Sequence, residues 1–332
     1  MASIPIIEAS FAHLFVDYLN QAGYPVRNWL TSECLPVSII KSPDGYVSEY
    51  HLRKFIEFAA QSAHLDDLGL KIAETVSMDE LGPLTDRIQS EPNLYAGLGV
   101  FCRDVTDVNS HAKFWLSEHD GHIWFFRSNP DELNIAQSFA EQFTVMYMVK
   151  LVQMFTGPDW HPDHVWLKAP DSSSFKQHPV FMRSLFSTAR GLSAIRLPTT
   201  EQEIAKIPEQ LIPPANRTES LAASLKILLK PYLSETCPDI KLAAELARLS
   251  ERTLKRRLAE ENITYRELLQ EARFELACAL LENTQLNILD VANAVSYVHP
   301  GNFSRAFQRR LNVTPQEYRR LHQRKLSVQP RS

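Results

Sequence analysis

Between Asp239 and Arg320 the chain runs twice through one short helical pattern, and no other feature restricts its possible folds as strongly. The first copy reads Leu242-Ala243, Leu246, Ser250, Leu254, Leu258, then Asn262-Ile263-Thr264 and Glu267. The second reads Val291-Ala292, Val295, His299, Phe303, Phe307, then Asn312-Val313-Thr314 and Glu317. The offset is 49 residues as far as Phe307 and 50 beyond it, so the second copy carries one inserted residue. Apolar residues at helical spacing on both sides of a short break predict two helices packed across a turn, a helix-turn-helix, in each copy. Two such units in tandem can enter two successive major grooves of a duplex, which points to sequence-specific DNA binding.

Local signals agree with that pattern. Asp239, Ser250 and Asn287 stand where helix N-caps are needed. Thr264 with Glu267, and Thr314 with Glu317, form two capping boxes, and Pro315 occupies the first helical position, where its missing N–H costs nothing. Asn262 and Asn312 follow helix ends, where a left-handed residue is wanted. In the first copy Leu242, Ala243, Leu246, Leu254 and Leu258 supply a packed back, and the small Ala243 lets the helices approach at the turn. Arg252, Lys255 and Arg256 are left on the outer face of the second helix. In the second copy Val291, Ala292, Val295, Phe303 and Phe307 form the back, leaving Gly301, Asn302, Ser304 and Arg305 outside. Arg grips guanine bidentately and Asn pairs with adenine, at roughly 1–3 kcal/mol of discrimination per good contact. Arg257, Arg309, Arg310, Arg319 and Arg320 read as phosphate contacts.

At 332 residues the chain predicts two domains. The net charge of −4 conceals an asymmetry: residues 1–217 hold 17 Lys+Arg against 26 Asp+Glu, a net of −9, and residues 218–332 hold 18 against 13, a net of +5. An acidic body with a basic end is expected when only the end meets a polyanion. Cys34, Cys102, Cys237 and Cys278 show no paired spacing, which argues against a disulfide frame or zinc finger and for a reducing, cytoplasmic setting. Nothing near Met1 resembles a signal peptide, and the most apolar helix candidate, residues 143–155, is too short for a membrane span.

The break between domains falls at 201–218, where Pro208, Pro213 and Pro214 disfavour a continuing helix. Upstream, helical patterns cover 7–22, 48–63, 68–76 and 93–102. Strands at 113–118 and 122–127 flank an Asp120-Gly121 turn, followed by a long helix over 132–155. Strands at 165–167 and 192–197 enclose a helical stretch at 179–189. The prediction is an α+β N-terminal regulatory domain (1–200), a Pro-rich linker (201–218) and an all-α C-terminal domain with two helix-turn-helix units (219–328).

Residues 219–325 resemble the DNA-binding domain of AraC/XylS-type regulators. The resemblance rests on Leu249-Ser250-Glu251-Arg252-Thr253-Leu254-Lys255-Arg256-Arg257-Leu258 and on Phe303-Ser304-Arg305-Ala306-Phe307 with Val313-Thr314-Pro315-Gln316-Glu317-Tyr318-Arg319. It implies seven helices, with a long helix from Thr264 bridging the two units, and transcriptional regulation, most often activation through RNA polymerase. Ser296-Tyr297 stands where that family commonly has Gly-Phe, Asn312 where Gly is frequent, and His299-Pro300-Gly301 is an unusual helix opening. The front 200 residues resemble the arabinose-binding-type regulatory domain of the same family. The matching stretches are Leu94-Tyr95-Ala96-Gly97-Leu98-Gly99, the Asp120-Gly121 hairpin, Trp160-His161-Pro162 and residues 191–198. This implies a small-molecule effector pocket or a dimer face, and no cofactor.

Trp115, Trp124, Phe126, Trp160 and Trp166 are the candidate pocket aromatics, with plain sheet core as the competing reading. Val145, Met146, Met148, Val149 and Val152 read as core first and as a homodimer interface second. His119, His122, His161 and His164 lack the spacing of a zinc site and read as loop histidines, so no metal is expected. Two other functions stay open. An enzymatic front domain finds no nucleophile elbow, Walker loop, His-Glu-x-x-His or Rossmann glycines in its favour. An architectural DNA binder without sequence preference has no use for two differently composed reading helices.

Overall fold

The computed structural model describes residues 4–41, 45–78, 83–128, 135–169, 171–188, 192–198, 220–235 and 237–326. The chain divides into one unit of Pro5–Leu35 and Ser48–Arg217 and another of Met1–Ile4, Pro36–Val47 and Thr218–Ser332. The Pro-rich stretch at 201–218 lies outside the described residues.

The N-terminal unit begins with a short strand, β1 (Ile6–Glu8), and the helices α1 (Ala9–Gln21) and α2 (Val26–Ser32). After β2 (Tyr46–Ser48) come α3 (Glu49–Ala63), α4 (Leu68–Thr75), α5 (Pro83–Gln89) and α6 (Leu94–Asp104). Asn93 caps α6 by accepting from the Ala96 N–H at 3.0 Å. The larger sheet starts with β3 (Lys113–His119) and β4 (His122–Ser128). Asp120 and Gly121 both take positive φ, +53° and +73°, as a two-residue hairpin turn requires. α7 (Gln137–Thr156) then leads to β5 (His164–Leu167), α8 (Ser173–Gln177), β6 (Leu185–Thr188) and β7 (Ser193–Arg196). The five strands order as β3-β4-β7-β5-β6, with only β5–β6 parallel.

α7 is buried along most of its length: Val145, Met146, Met148, Val149 and Val152 are at most 2% exposed, so this face belongs to the core, the first of its two expected roles. Gly69 of α4 makes the close approach possible. A Cβ there would lie 2.2 Å from the Phe139 carbonyl, and the Gly69 N–H instead donates to Gln142 Oε1 at 3.2 Å. The expected helix at 179–189 is a single turn at Pro179–Phe181 followed by β6, whose pairing partner β5 lies some twenty residues upstream. Position 132, the expected start of the long helix, lies outside the described residues, and the helix is described from Gln137.

Beyond Ser220 the described residues form seven α-helices: α9 (Leu221–Leu229), α10 (Ile240–Leu246), α11 (Glu251–Glu260), α12 (Tyr265–Asn283), α13 (Ile288–Ala294), α14 (Pro300–Leu311) and α15 (Pro315–Leu326). Every predicted cap forms. Asp239 accepts from the Leu242 N–H at 2.8 Å, Ser250 from Thr253 at 3.2 Å and Asn287 from Asp290 at 2.8 Å. Both capping boxes close, with Thr264 and Thr314 N–H groups each 2.8 Å from their glutamates. Glu261 accepts from the Leu221 and Ala222 N–H groups at 3.0 Å, tying the first orphan donors of α9 to the turn after α11. Lys226 and Lys230 reach Glu275 of α12 at 2.6 and 2.8 Å, fastening α9 to the bridging helix.

Candidate nucleic-acid interface

In the first unit α11 is held by Leu254 and Leu258, both fully buried, against Ala243, Ala244 and Leu246 of α10. The same helical spacing turns Arg252, Lys255 and Arg256 outward, and all three are exposed. Arg256 pairs with Glu260 one turn along, which aligns its guanidinium along the helix face.

The second unit repeats the arrangement with larger side chains. Phe303 and Phe307 of α14 pack with Val291 and Ala292 of α13, with Val295 just past its end, and with Ala277 and Leu281 of α12. Gly301, Asn302 and Arg305 are exposed, and Ser304 is half-buried. Arg305 donates to Asn302 Oδ1 at 2.7 Å, so these two of the four candidate base readers hold one another in place. A Cβ added to Gly301 would meet nothing, so the protein's own packing does not demand glycine there; its bare backbone leaves the helix opening unobstructed.

The turns differ by more than composition. The left-handed residue is Arg248 in the first unit and Ser296 in the second, at φ +54° and +59°. One residue separates Arg248 from the cap position Ser250, whereas Tyr297 and Val298 both separate Ser296 from His299. The second turn is therefore one residue longer, an insertion that the apolar pattern's constant offset of 49 conceals. The hydroxyl of Ser296 donates to the Leu233 carbonyl, and Arg273 stacks on the Tyr297 ring at 5.3 Å.

Among the expected phosphate contacts, Arg309, Arg310 and Arg320 are exposed and Arg257 is half-buried. Arg310 lies 4.4 Å from the centroid of Phe274. Arg319 is half-buried and donates through one guanidinium nitrogen to the Leu286 carbonyl in the loop before α13.

The five pocket candidates of the front domain divide. Trp124, Phe126 and Trp166 are buried in one cluster with Ala194, and half-buried Trp115 packs against it. Trp124 and Trp166 lie 4.4 Å apart, and Trp115 stacks on Phe126 at 5.3 Å and 8°. These four rings fill their own space as sheet core. Trp160 sits apart in the loop after α7, where its carbonyl accepts from Gln153. There it lines a separate cleft with His161, Val180 and Met182, while a partly open cavity lies on the opposite face of the hairpin, lined by the intervening residues Phe114 and Arg127. Of the histidines expected in loops, His119, His122 and His164 instead stand at strand ends; His164 shares a hydrogen bond with the Ser187 hydroxyl at 2.8 Å and His119 approaches Asp120 at 3.2 Å.

Comparison with known proteins agrees with this architecture. The profile of the family described as "Arabinose-binding domain of AraC transcription regulator, N-term" matches residues 23–201, more than half of the chain. A profile described as "Helix-turn-helix domain" matches 243–321, enclosing both units. An HTH-type transcriptional regulator of Mycobacterium tuberculosis is 46% identical over 69 residues, 21% of this chain and 20% of its own length. The chain thus spans only a fifth of that relative. The ornithine utilization regulator of Pseudomonas aeruginosa is 28% identical over 283 residues, 83% of this chain and 73% of the relative. Among solved structures, the transcriptional regulator CdpR from Pseudomonas aeruginosa aligns over 88% of this chain and 96% of its own, at 17% identity and a TM-score of 0.37. Two profiles in the order front domain then helix-turn-helix settle the affiliation: the chain belongs to the AraC family of transcription regulators, with an arabinose-binding-type N-terminal domain.

Proposed function

We propose that the protein is a sequence-specific regulator of transcription in the cytoplasm, whose two helix-turn-helix units read double-stranded DNA and whose front domain answers to a small-molecule effector. The observation that carries this reading is the pair of recognition helices. Each is pinned by two buried side chains at i and i+4, and each turns a different set of polar residues to solvent. In it, Arg252, Lys255 and Arg256 contact base edges in one major groove, and Gly301, Asn302, Ser304 and Arg305 in the next, about 34 Å away. Arg257, Arg309, Arg310 and Arg320 supply phosphate contacts, which position without specifying. RNA polymerase contact and self-association are the further partners this reading expects. No helix among the described residues is long and apolar enough to cross a membrane, and no observation favours an enzymatic front domain.

The test is binding-site selection with the full chain from randomised duplexes, followed by competition with unrelated DNA at about 150 mM salt. Specific reading predicts an enriched motif with two blocks about one helical turn apart that survives the competitor. Loss of all binding at that salt concentration, with no enriched motif, would favour the architectural alternative.

A further inference from the structure

The N-terminal unit holds a partly open cavity of about 100 Å³ between α1, α3, α6, α7 and the hairpin. Its wall is mostly aromatic, built from Phe11, Phe15, Phe101, Phe114, Phe143 and Tyr147. Three charged residues share that wall: Glu49, Arg53 and Arg127, which are 4%, 4% and 8% exposed. Buried charges are strongly unfavourable unless paired, and native structures nearly always saturate them with hydrogen bonds.

These three are not saturated. Arg53 donates through Nε and Nη2 to one oxygen of Glu49, at 3.0 and 2.6 Å. That leaves Arg53 Nη1 and Glu49 Oε2 without a partner. Arg127 donates no side-chain hydrogen bond to any described residue; burial alone dominates its environment, with Arg53 as a like charge beside it. Its pKa is lowered to about 10, which keeps it cationic at neutral pH. Glu141 of α7 is the other carboxylate near it, but that group is engaged by the Lys168 and Ala169 N–H groups at 2.6 and 2.9 Å and by the Ser193 hydroxyl. The Arg127 backbone is held from both sides, opposite Phe114 of β3 and Ser193 of β7, so the pleat fixes which face the side chain takes.

We propose that this cavity binds a small organic monoanion, a carboxylate on a short aliphatic or aromatic body, with Arg127 as its anion-binding residue and Arg53 as the second cation beside it. The guanidinium fork matches a carboxylate bidentately, and the match is strongest where water is excluded. The ring-lined wall receives the apolar body. At about 100 Å³ the cavity is smaller than the roughly 150 Å³ that holds benzene, which limits the body to a short chain or a single ring reaching its open side. The inference rests on the effector reading only for its consequence at DNA; binding itself stands apart from it.

The experiment is isothermal titration of the full chain at neutral pH with butyrate, hexanoate and benzoate, each paired with its neutral amide. The expected result is one-to-one binding of at least one carboxylate, about tenfold or more tighter than its amide. Arg127→Gln should erase that preference; should this variant fail to fold, the acid–amide ratio on the unaltered protein still decides. Equal affinity for acid and amide, or no binding of any of the three acids below about 10 mM, overturns the proposal. DNA affinity, measured on the same protein with and without the bound carboxylate, separates the two readings. An unchanged DNA affinity removes effector control and leaves the anion site standing, and failure of every acid leaves the DNA-reading units untouched.

Discussion

In the first helix-turn-helix the recognition helix is pinned by Leu254 and Leu258, in the second by Phe303 and Phe307 at the same spacing. The aromatic pair reaches further. Phe307 touches Phe274 at 5.3 Å, Phe303 at 5.7 Å and Tyr318 at 5.4 Å, drawing in rings from α12 and α15. The fronts diverge more sharply: three cations on α11, but one arginine among small and amide residues on α14. A buried back specified only by apolar spacing tolerates changes of size once neighbours adjust, whereas the solvent face is under no packing constraint and is free to specialise.

The largest expected effect follows from that difference in packing. Phe307→Ala should cost about 3–5 kcal/mol and Leu258→Ala about 2–5 kcal/mol, with Phe307 the larger because three rings lose their partner. Urea unfolding followed by helix content would check the order, and a costlier Leu258→Ala would show that the first unit, not the second, anchors the domain. Next in size are the fronts. Arg256→Ala and Arg305→Ala should each relax base preference by about 1–3 kcal/mol, at different halves of the site. Arg320→Ala should instead weaken all sequences alike and lower the salt slope by about one. Selection on the three variants tests that sorting; a uniform loss from Arg305→Ala would move it among the phosphate contacts.

The two halves of the chain were not equally legible in sequence. The C-terminal helices are bounded by caps whose donor and acceptor lie three residues apart, as in Asp239 with Leu242 or Thr264 with Glu267, so each boundary is written locally. In the front unit the decisive pairings are distant. β6 was legible only as a continuation of the helical stretch from Pro179, because nothing near Leu185 announces a parallel partner at His164. Which face of β4 borders the cavity is hidden from the sequence for a related reason. Ile123, Trp124, Phe125, Phe126 and Arg127 are all buried, so β4 shows no apolar–polar alternation from which a face can be chosen. The one available signal was Arg127 itself, a cation at the end of an apolar run.

A smaller effect compares the two capping boxes. Thr264→Ala and Thr314→Ala should each cost about 1 kcal/mol. Hydrogen bonds from the threonine backbone N–H hold the Glu267 and Glu317 carboxyls below the ordinary carboxylate value of 4.5. A depressed folded-state pKa means their contribution is complete above that value and is lost as pH falls through the lower, folded-state one. Thermal melts between neutral and acid pH should show a shallower decline in Glu267→Gln and Glu317→Gln; identical profiles would mean the boxes close without the charge.

The smallest effect concerns the turns. Ser296 holds φ +59°, a conformation costing a residue with a Cβ roughly 1 kcal/mol. Its hydroxyl compensates by donating to the Leu233 carbonyl, a bond worth about 0.5–1.5 kcal/mol. Ser296→Ala removes the bond and keeps the strain, so it should destabilise by about 1 kcal/mol. Ser296→Gly removes both and should fall within about 0.5 kcal/mol of the parent. Arg248, the left-handed residue of the first turn, is exposed and sits in a turn one residue shorter. Were Ser296→Ala and Ser296→Gly to respond alike in chemical denaturation, the positive φ would cost the serine nothing, and the longer second turn would tolerate a side chain through its geometry alone.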